Sequence, residues 1–288
     1  MTTQIKIEPI NERIGAYVTV DPTRLLDEGV PEQILDALNT YNVLVFPEAH
    51  MTDDQFVGLS DYFGENHSLA ATADASEASA KGMYRIEKKD KDANQLDYIR
   101  GNDIWHMDGT SYNLPGKSTM LKCERPADEG GETDFASLYA AYEAMSDEKK
   151  AEIESLRVEH CFEAIGRQLY DEPTQEQLDR WQAFFPPTEH PLVWHQQGGR
   201  TSLLIGGTAF DIVGKPHEEG LQYLNDLLDY CTQPQFTYRH SWKEGDMVMF
   251  NNPGLLHRSL PYKDTSGRVL HRTTIKGMEE IQKEQISA

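Results

Sequence analysis

Between residues 103 and 275 the chain is written mostly in short β-rich runs, and few of them alternate with helices in the way a parallel sheet requires. Candidate strands fall at 103–108, 118–123, 157–162, 192–195, 202–205, 236–240, 247–250 and 268–275. Helical patterning is gathered at 136–156 and after the Thr174-Gln-Glu-Gln177 capping box. Many short strands with scarce crossover units favour an α+β, mainly β chain: an antiparallel sandwich or jelly roll with helices packed outside.

The N-terminal part adds ordinary helix and strand signals. Pro31 starts a helix over 32–41, residues 42–46 (NVLVF) read as a buried strand, and Thr52-Asp-Asp-Gln55 is a capping box opening a helix that closes near Gly64. Residues 65–102 turn to Ala, Ser, Asp and Lys, with only 83–86 able to form a strand. This stretch reads as a long loop, and so long a loop is a functional lid or poorly ordered. No linker marks a boundary, so 1–288 is expected to be one domain with a tail at 279–288.

Composition limits the partners. The chain has 288 residues, with 27 Lys plus Arg against 48 Asp plus Glu, a net charge of −21. An acidic surface opposes nucleic acid and anionic membranes, because a basic face would have to be built against the field of the whole molecule. No run of 18 apolar residues and no leader pattern occurs, and Cys123, Cys161 and Cys231 match neither a disulfide framework nor a thiolate zinc site. The expectation is a cytoplasmic protein with a small-molecule substrate.

Trp105-His106-Met107-Asp108 places an imidazole and a carboxylate at i and i+2, which on a strand share one face and can bind one ion. The spacing alone says little. Ten His and an acidic fraction of 48/288 give about 1.7 matches by chance, and two occur. The other, His217-Glu-Glu219, follows Pro216 and suits the first turn of a helix, where acidic residues are favoured. Downstream, a turn at Gly245, an apolar strand and an Asn-Asn-Pro-Gly loop lead to His257. Arg268 and Arg272, at i and i+4 on a β-rich segment, put two guanidinium groups on one side and ask for an anionic partner.

With these residues in view, the chain resembles the TauD/TfdA family of iron(II)- and 2-oxoglutarate-dependent dioxygenases. The matching elements are Trp105-His106-Met107-Asp108, Gly130-Gly131-Glu132-Thr133, the distant His257, and Arg268 with Arg272. The likeness runs from Ile14-Gly15-Ala16 to Gly277, and around 232–240 and 245–249 it is nearer the herbicide-degrading branch. The resemblance implies a double-stranded β-helix (jelly roll, cupin-like), with His106, Asp108 and His257 as Fe(II) ligands that leave sites open for cosubstrate and O2. It implies that Thr133 and Arg268 bind the distal carboxylate of 2-oxoglutarate. Arg272 then meets the C1 carboxylate and an anionic group of the substrate, and Asn102 stands beside both. His67, Gly109 and Thr208 fall on the substrate side, Gly109 leaving room near the metal.

Two departures bear on the substrate. Where many relatives have W-D-N-R, this chain has Phe250-Asn251-Asn252-Pro253, and small residues, Ser68-Leu-Ala-Ala-Thr72, follow His67. A larger or more apolar pocket is implied, which disfavours taurine, and the presence of Asp108 disfavours a halogenase. The implied reaction couples decarboxylation of 2-oxoglutarate to succinate and CO2 with C–H oxidation of a small, anionic organic substrate: hydroxylation, cleavage, desaturation or cyclisation. Loop 65–102 would be the lid, and the family leaves a homo-oligomer open. Two other classes stay in view: a cupin-like metal hydrolase or isomerase using the same three ligands without 2-oxoglutarate, and a non-catalytic ligand-binding module. Neither needs the dicarboxylate clamp of Thr133 and the arginines. His195 is placed in a strand that could border the pocket.

Overall fold

The structure is a computed structural model that describes residues 5–66, 82–88, 91, 93–110 and 112–282. Among these residues two sheets set the frame. The larger has seven strands in the order β1 (Lys6–Pro9), β2 (Ala16–Thr19), β3 (Val43–Phe46), β13 (Met247–Asn251), β5 (Ser118–Arg125), β15 (Val269–Ile275), β4 (Tyr84–Ile86). Every pairing in it is antiparallel except β2 with β3. Facing it is a three-stranded antiparallel sheet in which β6 (Thr133–Ser137) lies between β12 (Thr237–His240) and β14 (Leu255–Ser259). A second small sheet orders β7 (Arg157–His160) between β11 (Ala209–Ile212) and β8 (Thr188–Pro191), and β9 (Val193–His195) pairs with β10 (Thr201–Leu203). This is the jelly roll, with helices outside.

Side-chain alternation shows how the layers are held. On β13, Met247 and Met249 face helix α1 (Val30–Tyr41) and helix α2 (Asp53–Phe63), where Ile34, Leu38, Phe56 and Leu59 are buried. Val248 and Phe250 face the other way, into the interior with Phe135 of β6 and Leu255 of β14. A strand buried on both faces must read as a continuous apolar run, which explains why 247–250 has no polar alternation. Fully burying each such side chain contributes about 1.5–3 kcal/mol. The Thr52 capping box forms: Gln55 N donates to Thr52 Oγ1 at 3.2 Å and Thr52 N to Gln55 Oε1 at 2.9 Å. The Thr174–Gln177 box likewise opens α7 (Gln175–Phe184).

Several sequence expectations need correction. Residues 103–108 form no strand; His106 makes a single bridge to His257, with His106 N donating to His257 O at 3.0 Å and the reverse bond at 2.9 Å. The long stretch expected to be loop contains helix α3 (Ala93–Gly101), whose polar sequence hid it: its buried positions include a carboxylate, Asp97, beside Ile99, with no apolar stripe of helical period. Residues 136–156 hold not one helix but the end of β6, α4 (Leu138–Glu143) and α5 (Asp147–Ile153), split where Ser146 caps α5. Helix α6 (Phe162–Leu169) follows β7 where the strand was expected to run on. At the C-terminus, Ile281 is buried and its N–H donates to Asn113 O at 2.7 Å, so part of the expected tail is packed. The remaining long helix, α8 (His217–Cys231), starts at His217, whose ring meets Asp211 at 2.6 Å.

Candidate active site

Three donors converge at one end of the sandwich interior. β14 carries Leu255 and His257 inward, and the bridge to His106 brings the 105–110 segment alongside. The His106 and His257 rings lie 4.2 Å apart. Asp108 Oδ1 is 3.9 Å from His106 Nε2, and Asp108 Oδ2 is 4.0 Å from His257 Nε2. One donor atom from each residue lies within 4.8 Å of the others, a separation one metal ion can bridge.

The surroundings put each donor in the form a metal needs. His106 Nδ1 donates to Ile104 O at 2.7 Å, leaving the Nε2 lone pair turned inward. Burial keeps the His106 imidazole neutral, and burial together with His106 pushes His257 down to about 3. Burial works against the charge of Asp108, yet His257, Arg272, His106 and a bond from Thr119 outweigh it and hold the carboxyl at about 2. Thr119 Oγ1 donates to Asp108 Oδ2 at 3.1 Å and accepts from Asn252 Nδ2 at 3.0 Å. Asn252, in the loop that departs from the family pattern, thus steadies the carboxylate. Two neutral imidazoles and one carboxylate leave a divalent cation with a single compensating charge and open positions.

Two cavities open onto this point. The inner one, of about 40 Å³, lies between the sheets and is lined by Thr133, Arg268, Leu270, Arg272, His257, His106 and Asn102 among others. Arg268, just before β15, and Arg272, on it, are both buried and line the same cavity. Arg268 lies 4.7 Å over the Tyr262 ring, and its Nε, buried, has no hydrogen-bond partner among the described residues. Such an orphaned donor in a cavity suits a carboxylate. Trp242 Nε1 donates to Thr133 Oγ1 at 2.9 Å. The two glycines before Thr133 have a packing reason: a Cβ on Gly130 would meet Pro261 O at 2.3 Å, and one on Gly131 would press on Arg268 at 3.1 Å.

The outer cavity, of about 210 Å³, is lined by Tyr98, Tyr112, Phe162, Phe184 and Phe185 around His106, Asp108, Asn102, Gly109 and Thr208. Thr208 is buried and its hydroxyl meets those of Thr110 and the ring of His160 at 2.9 Å each. Gly109 has φ of +93°, and a Cβ there would meet Pro115 at 3.0 Å, so packing as well as space near the donors calls for glycine. His67 lies outside the described residues. His195 is not at either cavity: it is half exposed and bonds Glu154 at 2.8 Å. The aromatic wall was not anticipated from the sequence, because its rings come from three separated helices and a loop with no common motif.

A second group, Asp53, Glu124 and His271, also brings three possible ligands together on the α2 side of the large sheet. There the cation position is taken: Lys122 Nζ lies 2.6 Å from Asp53 and 2.7 Å from Glu124.

Comparison with known proteins decides the family. The model of the TauD family (Taurine catabolism dioxygenase TauD, TfdA family) matches residues 6–274. The chain belongs to this family. It is 31% identical over 283 residues to the (S)-phenoxypropionate/alpha-ketoglutarate-dioxygenase of Sphingobium herbicidovorans, covering 96% of both chains. It is 32% identical over 264 residues to the alpha-ketoglutarate-dependent 2,4-dichlorophenoxyacetate dioxygenase of Burkholderia sp. (strain RASC), covering 86% of each. The crystal structure of AAD-2 in complex with Mn(II) and N-oxalylglycine matches with a TM-score of 0.81 and 29% identity, over 97% of this chain and 100% of that one. The protein is therefore a 2-oxoglutarate-dependent dioxygenase that uses Fe(II), 2-oxoglutarate and O2. This sets aside both the hydrolase or isomerase and the non-catalytic readings. No helix among the described residues is long and apolar enough to cross a membrane.

Proposed function

We propose that the enzyme oxidises a C–H bond of a small carboxylic acid with an aromatic or apolar body, an aryloxyalkanoic acid being the nearest fit. The observation that carries this reading is that a cationic cavity and an aromatic cavity meet at His106 and Asn102, which line both. In this reading His106, Asp108 and His257 hold Fe(II). Arg268 and Thr133 take the distal carboxylate of 2-oxoglutarate, Arg272 lies near its C1 carboxylate, and Asn102, which lines both cavities, stands between cosubstrate and substrate. The names of the two phenoxy-acid relatives support the substrate class, as do the five rings of the outer wall. Gly109 and Thr208 belong to that substrate side, and His67 is kept there on the resemblance alone.

Iron bound by these residues supplies O2 activation and, with 2-oxoglutarate decarboxylated to succinate and CO2, the oxidising power for the C–H step. The chain's contribution is placement. Tyr262 beneath Arg268 and Trp242 on Thr133 fix the two groups that grip the far carboxylate, so the cosubstrate's orientation is set before the substrate arrives. The aromatic wall seats the ring, keeps water from the reacting carbon and presents that carbon to the iron side. Hydroxylation is the proposed outcome, with cleavage following where the hydroxylated carbon carries an ether oxygen.

Anaerobic addition of 2-oxoglutarate to the Fe(II) protein should give a weak visible metal-to-ligand charge-transfer band. Full iron loading without a band would sink the assignment of the inner cavity. A panel of aryloxy, aliphatic and sulfonated acids, followed by succinate formation, should show the aryloxy acids strongest; equal or better turnover of small sulfonates would sink the substrate class.

A further inference from the structure

Arg272 and the outer wall are joined through one side chain. Arg272 Nη2 donates to the Tyr98 hydroxyl at 3.3 Å, and its guanidinium lies 5.2 Å over the Tyr84 ring. Tyr98 sits on α3, lines the outer cavity, and meets Tyr84 and Phe184 edge-on at 6.4 Å each. Phe184 in turn meets Phe162 edge-on at 5.4 Å. A row of rings therefore runs from the buried arginine of the inner cavity to the mouth of the outer one. The helix bearing Tyr98 is also tied to the wall by a bond from Tyr170 to Asp97 of 2.6 Å.

We propose that Tyr98 is a positioning residue that serves both cavities: its hydroxyl fixes the Arg272 guanidinium for the cosubstrate, and its ring forms part of the surface that selects the substrate. The guanidinium is buried in the sandwich and planar, so anchoring one N–H sets the direction of the others. With the Tyr98 oxygen accepting from Arg272, the phenol's own proton points away from the arginine. The ring, held between Tyr84 and Phe184, cannot shift to follow a badly seated substrate without loosening that anchor. Cosubstrate and substrate sites are thereby coupled through a single residue.

This inference rests on the functional reading above, and its test separates the two. Binding of 2-oxoglutarate and of N-oxalylglycine to the anaerobic Fe(II) protein is measured by calorimetry for wild type, Tyr98→Phe and Tyr98→Ala, with turnover selectivity across the acid panel and thermal melting beside it. Tyr98→Phe should melt like wild type, keep the order of preferred acids and weaken both 2-oxo ligands about tenfold, the scale of one hydrogen bond to a charged group. Tyr98→Ala should show that weakening and also flatten the preference for aryloxy acids. Wild-type protein that binds no 2-oxoglutarate would overturn the functional reading and this inference together. Wild-type binding with an unchanged Tyr98→Phe, or a Tyr98→Ala no different from Tyr98→Phe in selectivity, would overturn this inference alone.

Discussion

The inner and outer cavities share His106 and Asn102 but are built from different parts of the molecule. The inner one is made mainly by strands: Thr119 and Leu121 on β5, Thr133 on β6, Phe250 on β13, His257 on β14, Leu270 and Arg272 on β15, with Ile99 of α3, Asn102, His106, Tyr262 and Arg268 completing it. All of these strands but β14 are paired on both sides; β14 pairs with β6 on one side and carries only the His106 bridge on the other. The outer one is made by α3, the segments 102–110 and 112–116, α6 and the end of α7, whose Phe162, Ile165, Trp181 and Phe185 form a small cluster separate from the sandwich core. Strands fix distances to fractions of an ångström, whereas helices and loops on the rim can change without moving the strands. On the proposed reading, iron and cosubstrate fall to the strand-built part and choice of substrate to the replaceable part.

The largest effects should come from breaking the rigid side. His257→Ala removes one of three donors and leaves only His106 and Asp108 to hold the ion; iron should no longer be retained and succinate formation should stop. Retention of both, by metal analysis and product assay, would mean that the ion sits elsewhere. Arg268→Ala should come next. It deletes the orphaned buried donor of the inner cavity, and truncating one partner of a buried charge pair costs about 2–5 kcal/mol, so 2-oxoglutarate should bind about 30-fold more weakly or worse. Iron affinity should hardly move, because Arg268 is not among the three donors. A drop in iron binding equal to the drop in cosubstrate binding would erase the distinction between clamp and ligand.

On the replaceable side the expected change is smaller and of another kind. Phe184 is 47% exposed at the rim of the outer cavity, so Phe184→Ala should fold normally. It should raise KM for an aryloxy acid about tenfold, the usual worth of lost apolar contact in a pocket, and weaken 2-oxoglutarate much less, because Tyr98 keeps its bond to Arg272 and its contact with Tyr84. Equal losses for acid and cosubstrate would mean that the outer wall has no role of its own in choosing the substrate.

The same division explains what could be read from the chain. His106, Asp108, His257, Thr133 and the arginines lie in the short motifs that carry the family resemblance, and it is that resemblance, more than spacing, that implies their roles. His257, expected to start a strand after the Asn-Asn-Pro-Gly loop, lies in the middle of β14, and the 105–108 segment is no strand, because the single bridge that His106 makes to His257 leaves no alternation in the sequence. Thr119 and Asn252 support Asp108 from 11 and 144 residues away, and no local signal marks either. Tyr98, Phe162 and Phe184 look like ordinary apolar helix positions. Only their meeting in space gives them a function, and that depends on how α3, α6 and α7 pack.

The smallest predicted effect separates the buried histidines by their work. His160 sits behind the outer cavity, its Nδ1 bonded to Thr208, and burial, reinforced by His190, pushes it down to about 3 from an ordinary 6.5. Between those two values the unfolded chain binds a proton at this site that the folded protein does not, so folding stability must fall as pH falls through the window. His257 follows the same rule in metal-free protein, but a bound ion would hold it deprotonated and add its own stabilisation. Melting of His160→Gln should therefore depend less steeply on pH than wild type between about 6.5 and 4, with or without Mn(II), the difference amounting to roughly 4–8 °C or less. Equal slopes would mean that His160 takes up its proton in the folded state, and that the threonine network behind the outer cavity is open to water.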